Sequence, residues 1–205
     1  MKSFLQPFES LVDIQELRGA IKKEKKIYDL SGCSDAEKSH VIYGVGHDTD
    51  FKLIVTFDEL RAKAIYEEYS FFEPDCVYYP GKDLLFYQSD IRGNALSTLR
   101  LQALKTILTE EKVTVITTVD ALMNKLPPKE MFRDGVIHLD ETCTVDLEEL
   151  QKQLVALGYE HVSQVEQPGE FAVRGGIIDV YSLTEDNPFR IELWGDEIDR
   201  CVHFR

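Results

Sequence analysis

Cysteine is scarce in this 205-residue chain, and the four present, Cys33, Cys76, Cys143 and Cys201, form no CxxC pair and have no histidine at metal-ligand spacing. That pattern excludes a disulfide framework and a zinc site, and leaves buried, reduced thiols as the expectation. Long hydrophobic runs are missing too: none reaches the ~18 to 20 residues of a membrane helix, so no membrane contact is expected. The opening MKSFLQPFES lacks the apolar stretch and small-residue cleavage site of a signal peptide, which makes the cytoplasm the expected location. Positive charge is in short supply, with 23 basic against 37 acidic residues and a net charge of -14. Such a surface repels phosphate backbones and argues against autonomous nucleic-acid binding. The basic cluster Lys22, Lys23, Lys25 and Lys26 is broken by Glu24 and falls at a helix end, where it complements the helix dipole. Internal repeats and low-complexity tracts are absent from the sequence.

What is there is a foldable chain. At 43% hydrophobic and 10% aromatic residues it can fill one large core or two small ones. Up to residue 128, short apolar segments (26–30, 53–57, 76–79, 113–117) alternate with helical spacing at 58–71 and 94–108. In the second of these helices Leu96, Leu99, Ala103 and Ile107 form one stripe. This order predicts an α/β domain over residues 1–128, a Rossmann/RecA-like parallel sheet covered by helices on both faces. Leu126-Pro127-Pro128 ends it.

Residues 129–205 read as a smaller α+β domain with an antiparallel sheet. A strand is expected at 136–139. Asp146 with Glu149 starts a helix whose buried side is Leu147, Leu150, Leu154 and Leu157, and Gly158 stops it. Further strands are expected at 161–165, 170–181, 189–194 and near 201–204. Their connections are short and turn-rich.

Residues 27–30 lead into Gly32-Cys33-Ser34-Asp35-Ala36-Glu37-Lys38-Ser39, spaced like the phosphate loop G-x-x-x-x-G-K-[ST]. Glu37 stands at the second glycine position, where a side chain fills the phosphate's space and its carboxylate repels the phosphate. The register shifted to residues 29–36 puts Asp35 in place of the lysine. Whether degenerate loop or chance likeness, the segment formed by Gly32, Glu37, Lys38 and Ser39 is not expected to bind nucleotide. Other catalytic patterns are thin. The pairs Glu67-Glu68 and Glu148-Glu149 read as solvated helix faces, the five histidines lack a nucleophile partner, and Asp140-Glu141 falls outside the parallel-sheet region. No active site, metal or cofactor is expected.

One strand stands out. Alternation in Arg190-Ile191-Glu192-Leu193-Trp194 sends Ile191 and Leu193 to the core and Arg190, Glu192 and Trp194 outward. In the preceding strand Phe171 and Val173 hold the core phase and leave Arg174 outward, with a bulge expected at Gly175-Gly176. Arg174, Arg190 and Trp194 could then share a face of the type found at binding hot spots. The alternative is a tryptophan covered by a neighbouring domain or stacked under Arg190.

The stretch Gly169-Glu170-Phe171-Ala172-Val173-Arg174-Gly175-Gly176-Ile177-Ile178-Asp179-Val180-Tyr181, with Arg190-Ile191-Glu192-Leu193-Trp194-Gly195-Asp196-Glu197-Ile198-Asp199, resembles the N-terminal region of the bacterial transcription-repair coupling factors (Mfd). Arg100-Leu101, residues 113–117 and Leu126-Pro127-Pro128 fit the same family, and the repair protein UvrB carries a similar pattern. The resemblance implies a degenerate nucleotide-binding domain (1a) followed by an α+β domain (2) that binds UvrA through two arginines and an aromatic. These fall on Arg174, Arg190 and Trp194, where relatives often have phenylalanine for the tryptophan. The segment between Gly81 and Asp90 is too short for the DNA-holding hairpin of UvrB, which favours the coupling-factor likeness.

The resemblance further implies a non-catalytic part of a longer protein, with ATP and magnesium used only in a motor that this chain lacks. RNA polymerase and DNA would be met only through other absent domains. Two rival expectations remain: an intramolecular, autoinhibitory contact with the C-terminal part of the full-length protein, and an ATP-dependent repair protein of the UvrB kind.

Overall fold

The structure, a computed structural model, describes residues 4–23, 26–82, 90–126, 128–137 and 139–204. They group into two compact units, residues 1–124 and 125–205.

The first unit opens with helices α1 (Gln6–Glu9), α2 (Val12–Lys23) and α3 (Asp35–Gly46). It continues through β1 (Phe51–Thr56), α4 (Glu59–Tyr69), β2 (Val77–Tyr79), α5 (Asp90–Thr109), β3 (Val113–Thr118) and α6 (Val119–Met123). The three strands form a parallel sheet in the order β1-β3-β2, in register from Phe51↔Val113 and from Val77↔Val115. The central strand β3, VTVITT, is rich in β-branched residues and buried throughout, as a strand covered on both faces must be. Ile116 packs with Tyr43, Ile54, Ala62, Tyr69 and Cys76. Val113 and Val115 pack on the other side with Tyr79, Ala103 and Ala121. Helices therefore cover both faces. Asp58 fixes the start of α4 by accepting from the Arg61 N–H at 2.7 Å.

Two expectations for this unit fail. Residues 26–30 form no strand: Ile27 is fully exposed, and no strand pairs with the segment among the described residues. A β-prone run becomes a strand only where a neighbour accepts its backbone hydrogen bonds. On α5, Leu99 is exposed, and the row facing the sheet includes Arg100, Ala103, Leu104 and Ile107. Arg100 takes that place because its guanidinium donates to the Pro80 carbonyl and the Tyr79 hydroxyl and lies over the Tyr79 ring. The segment set against the UvrB hairpin lies largely outside the described residues.

The second unit contains α7 (Lys129–Asp134) and α8 (Leu147–Ala156), then β4 (Glu160–His161), β5 (Glu170–Arg174), β6 (Ile177–Val180), β7 (Phe189–Trp194) and β8 (Glu197–His203). Asp146 caps α8 by accepting from the N–H groups of Glu148 (2.9 Å) and Glu149 (3.1 Å). Leu150 and Leu154 of α8 join Val145, Phe171, Ile178, Val180, Ile191 and Ile198 in one core.

The sheet runs β4-β5-β6-β7-β8 and is mixed, since β4 pairs parallel to β5 and the remaining pairs are antiparallel. Residues 170–181 are a hairpin instead of one bulged strand. Arg174 pairs with Ile177, and Gly175 takes φ 62° in the turn, a conformation open to glycine. No strand forms at residues 136, 137 and 139; Ile137 and Leu139 pack on the core as irregular chain, and residue 138 lies outside the described residues. Of the cysteines only Cys76 is buried, and Cys201 is exposed on β8, the edge of its sheet.

Candidate functional site

Residues directly opposite one another in an antiparallel ladder share a face of the sheet. The registers give one row Ala172–Asp179–Arg190–Val202 and the next row Arg174–Ile177–Glu192–Arg200. One more step along β7, Trp194 stands opposite Glu197. Phe171, Ile178, Val180, Ile191 and Ile198 occupy the opposite, core-facing side. Arg174, Arg190 and Trp194 therefore share one face, with β6 between the strands that carry them.

Each is held differently. Arg174 is exposed and donates through Nη2 to the Ser163 carbonyl at 2.7 Å, a neutral partner, and forms no ion pair among the described residues. Arg190 donates through Nε to Asp179 Oδ1 (2.7 Å) and through Nη2 to Oδ2 (2.8 Å), a bidentate pair. Asp179 is buried, and its hydrogen bonds and charge push the Arg190 guanidinium still further above its ordinary value. The Phe204 ring lies 5.0 Å from that guanidinium. Arg190 thus stacks on Phe204, while Trp194 is 83% exposed. The turn between β5 and β6 presses against the strand beside the tryptophan: Leu193 N–H donates to the Gly176 carbonyl at 2.7 Å. A Cβ at Gly176 would meet the Leu193 carbonyl oxygen at 2.9 Å.

Asp179 and Phe204 were not legible as part of this face from the chain alone. Reading residues 170–181 as one strand left the phase of Asp179 undetermined. The Gly175-Gly176 dipeptide was the signal for a hairpin and would have supplied it.

The polar groups of residues 32–39 find partners within the protein, Glu37 and Lys38 at the surface and Ser39 buried. The Glu37 carboxylate accepts from Ser34 N–H and Oγ, both at 2.8 Å, and the backbone N–H holds it below the usual carboxylate range. It sits where a phosphate would meet the amino end of α3. Lys38 donates to Asp35 at 2.8 Å, and the buried Ser39 donates to Glu68 at 2.8 Å. Gly32 has φ 83°. No strand precedes the turn among the described residues.

Open α/β sheets bind ligands beyond the carboxyl ends of their strands. Here Glu59 fills that end, accepting from Gly81 N–H (2.7 Å), Thr118 Oγ1 (3.0 Å) and the Tyr78 hydroxyl. No group of three or more metal-ligating side chains occurs among the described residues, and none of their helices is long and apolar enough to cross a membrane.

Residues 137–205, which hold α8 and all five strands of the second sheet, match the family model described as the UvrB interaction domain. Over that stretch the chain is similar to the UvrB interaction domain. Arg174, Arg190, Trp194, Asp179 and Phe204 all lie within it. Over nearly its whole length, the chain is 27% identical over 195 residues to the transcription-repair-coupling factor of Bacillus subtilis, an alignment that covers 94% of this chain and 17% of that protein. It is 29% identical over 211 residues to UvrABC system protein B of Thermosipho africanus, covering 93% of this chain and 31% of that protein. UvrABC system protein B of Neisseria meningitidis is 30% identical over 149 residues, covering 72% and 22%. The resemblance to the coupling factors and to UvrB is thus shown. This chain spans less than a third of the length of each of these relatives.

Proposed function

We propose that this chain recruits UvrA in transcription-coupled nucleotide excision repair, through the sheet face that carries Arg174, Arg190 and Trp194. The observation that supports it most is the 83% exposure of the only tryptophan in the chain, on a face with two ordered arginines and inside the stretch similar to the UvrB interaction domain. An exposed aromatic beside arginines is the composition of a binding hot spot. The part itself is non-catalytic and needs no cofactor; any ATP turnover belongs to other regions of the longer relatives. The turn at 32–39 is read as a phosphate-loop position converted into a helix cap, a reading supported by Glu37 at the amino end of α3 and by the internal partners of Lys38 and Ser39.

The test is titration of UvrA with wild type and with R174A/R190Q. Glutamine at 190 retains an amide donor for the buried Asp179, so the variant does not strand a carboxylate. Loss of binding with an unchanged circular dichroism spectrum is expected. Binding equal to wild type would refute the proposal.

A further inference from the structure

Arg190 is the half-exposed member of a pair whose other member is buried: its side chain is 36% exposed, that of Asp179 8%. Both side chains stand on the same cross-strand step of β6 and β7, so the carboxylate meets the guanidinium from its own sheet face. Asp179 takes the Nε–Nη2 edge, and Phe204 covers the guanidinium's plane. Nη1 has no hydrogen-bond partner among the described residues, so the end of the guanidinium is what the face presents. A long side chain that keeps its rotamers until a partner arrives loses that freedom on binding; one already locked does not.

We propose that Asp179 is the positioning residue of this face: it fixes Arg190 before binding, so that Arg190 meets UvrA as a preset donor. This rests on the reading of the face as the UvrA contact. It also divides the arginines by task. The charge of Arg190 is compensated by Asp179 and that of Arg174 has no ion-pair partner among the described residues, so Arg174 carries the attraction for a negatively charged patch and Arg190 the geometry. The acceptor that Arg190 meets is a carboxylate or carbonyl approached end-on.

The experiment is a double-mutant cycle on the intact chain, with UvrA affinity measured for wild type, D179N, R190Q and D179N/R190Q. Asparagine keeps the size of Asp179 and one acceptor oxygen but loses the charge and the second bond. D179N is expected to weaken binding by about tenfold, the scale of a charge-assisted hydrogen bond lost at a hot spot. In the R190Q background it should change nothing further. A nitrogen–proton correlation spectrum of the free protein supplies a reading that bulk stability would not move. The Arg190 Nε–H signal should be sharp and protected in wild type and lost in D179N.

Three results would overturn the proposal: D179N binding as wild type while R190Q is weakened, D179N binding more tightly, or D179N weakening R190Q as much as it weakens wild type. The first means that Arg190 needs no positioning, the second that Asp179 masks it, and the third that Asp179 acts on the fold. Wild-type binding by R174A/R190Q is a different outcome, because it refutes the contact face itself.

Discussion

The amino end of α3 and the open face of the second sheet carry similar chemistry and put it to opposite use. At α3, Glu37, Lys38 and Ser39 are matched to Ser34, Asp35 and Glu68 within the same unit. On the sheet face Arg174 and Trp194 point outward, and of these three residues only Arg190 has a charged partner among the described residues. A polar group whose bonds are closed internally contributes to stability, and one left open is available to a partner. Residue type alone does not separate the two cases. The partner list does.

The contrast is sharpest within β7, where neighbours point opposite ways. Ile191 is buried in the core, and I191A should lower the unfolding free energy by roughly 2–5 kcal/mol, the usual cost of an isoleucine-sized cavity, measured by urea titration. Trp194 is exposed, and W194A should leave the urea midpoint where it is while weakening UvrA by about 2 kcal/mol, or roughly thirtyfold. A W194A protein that binds normally but unfolds early would reverse the assignment of the two faces.

How much of this was legible beforehand depends on the range of the interaction involved. β1, β2 and β3 follow from short apolar runs, β7 from alternation, α4 from helical spacing and the start of α8 at Asp146 from capping, all of which are local signals. The shared face of Arg174, Arg190 and Trp194 was within reach because period two is strict within one strand. Asp179 was not, since its phase depends on whether Gly175-Gly176 bulges a strand or turns it. The failed strand at 26–30 has a different cause: its residues suit a strand, but no described strand of the sheet pairs with it, and pairing is not a local signal. Glu59 is a third case. It gathers Tyr78, Gly81 and Thr118 from 19, 22 and 59 residues away, a convergence that no window on the sequence spans.

A smaller effect tests the closed half of the comparison. Asp48 accepts from Lys22 (3.0 Å) and Arg18 (2.8 Å) and faces His47, tying α2 to the end of α3. Those hydrogen bonds lower its carboxyl from 3.8 to about 2. A folded-state value below the unfolded one means stabilisation that is complete above about pH 4 and is lost as pH falls through about 2. D48N removes the titrating group. The gap in urea midpoint between wild type and D48N should therefore be constant above the titration range of His47, which Asp48 faces, and close between about pH 4 and pH 2. A gap that persists at pH 2 would show that Asp48 contributes through packing and not through its charge.

The smallest expected effect is none, and it bears on the α3 turn directly. A ligand that binds only the folded chain raises its melting temperature, by an amount equivalent to about 2.7 kcal/mol at a hundredfold excess over its dissociation constant. Nucleotide binding at 32–39 would require Glu37 to leave the amino end of α3, Lys38 to leave Asp35, and two more negative groups, Asp35 and Glu37, to accept a polyphosphate beside them. ATP with magnesium should therefore not move the melting temperature of the wild type. E37G is the sharper arm, because it empties the helix end and restores glycine where a phosphate loop has one. If E37G gains a nucleotide-dependent shift, the turn is a phosphate loop held shut by one carboxylate. If it gains none and melts earlier, Glu37 serves the helix alone, and the closed half of the comparison is structural throughout.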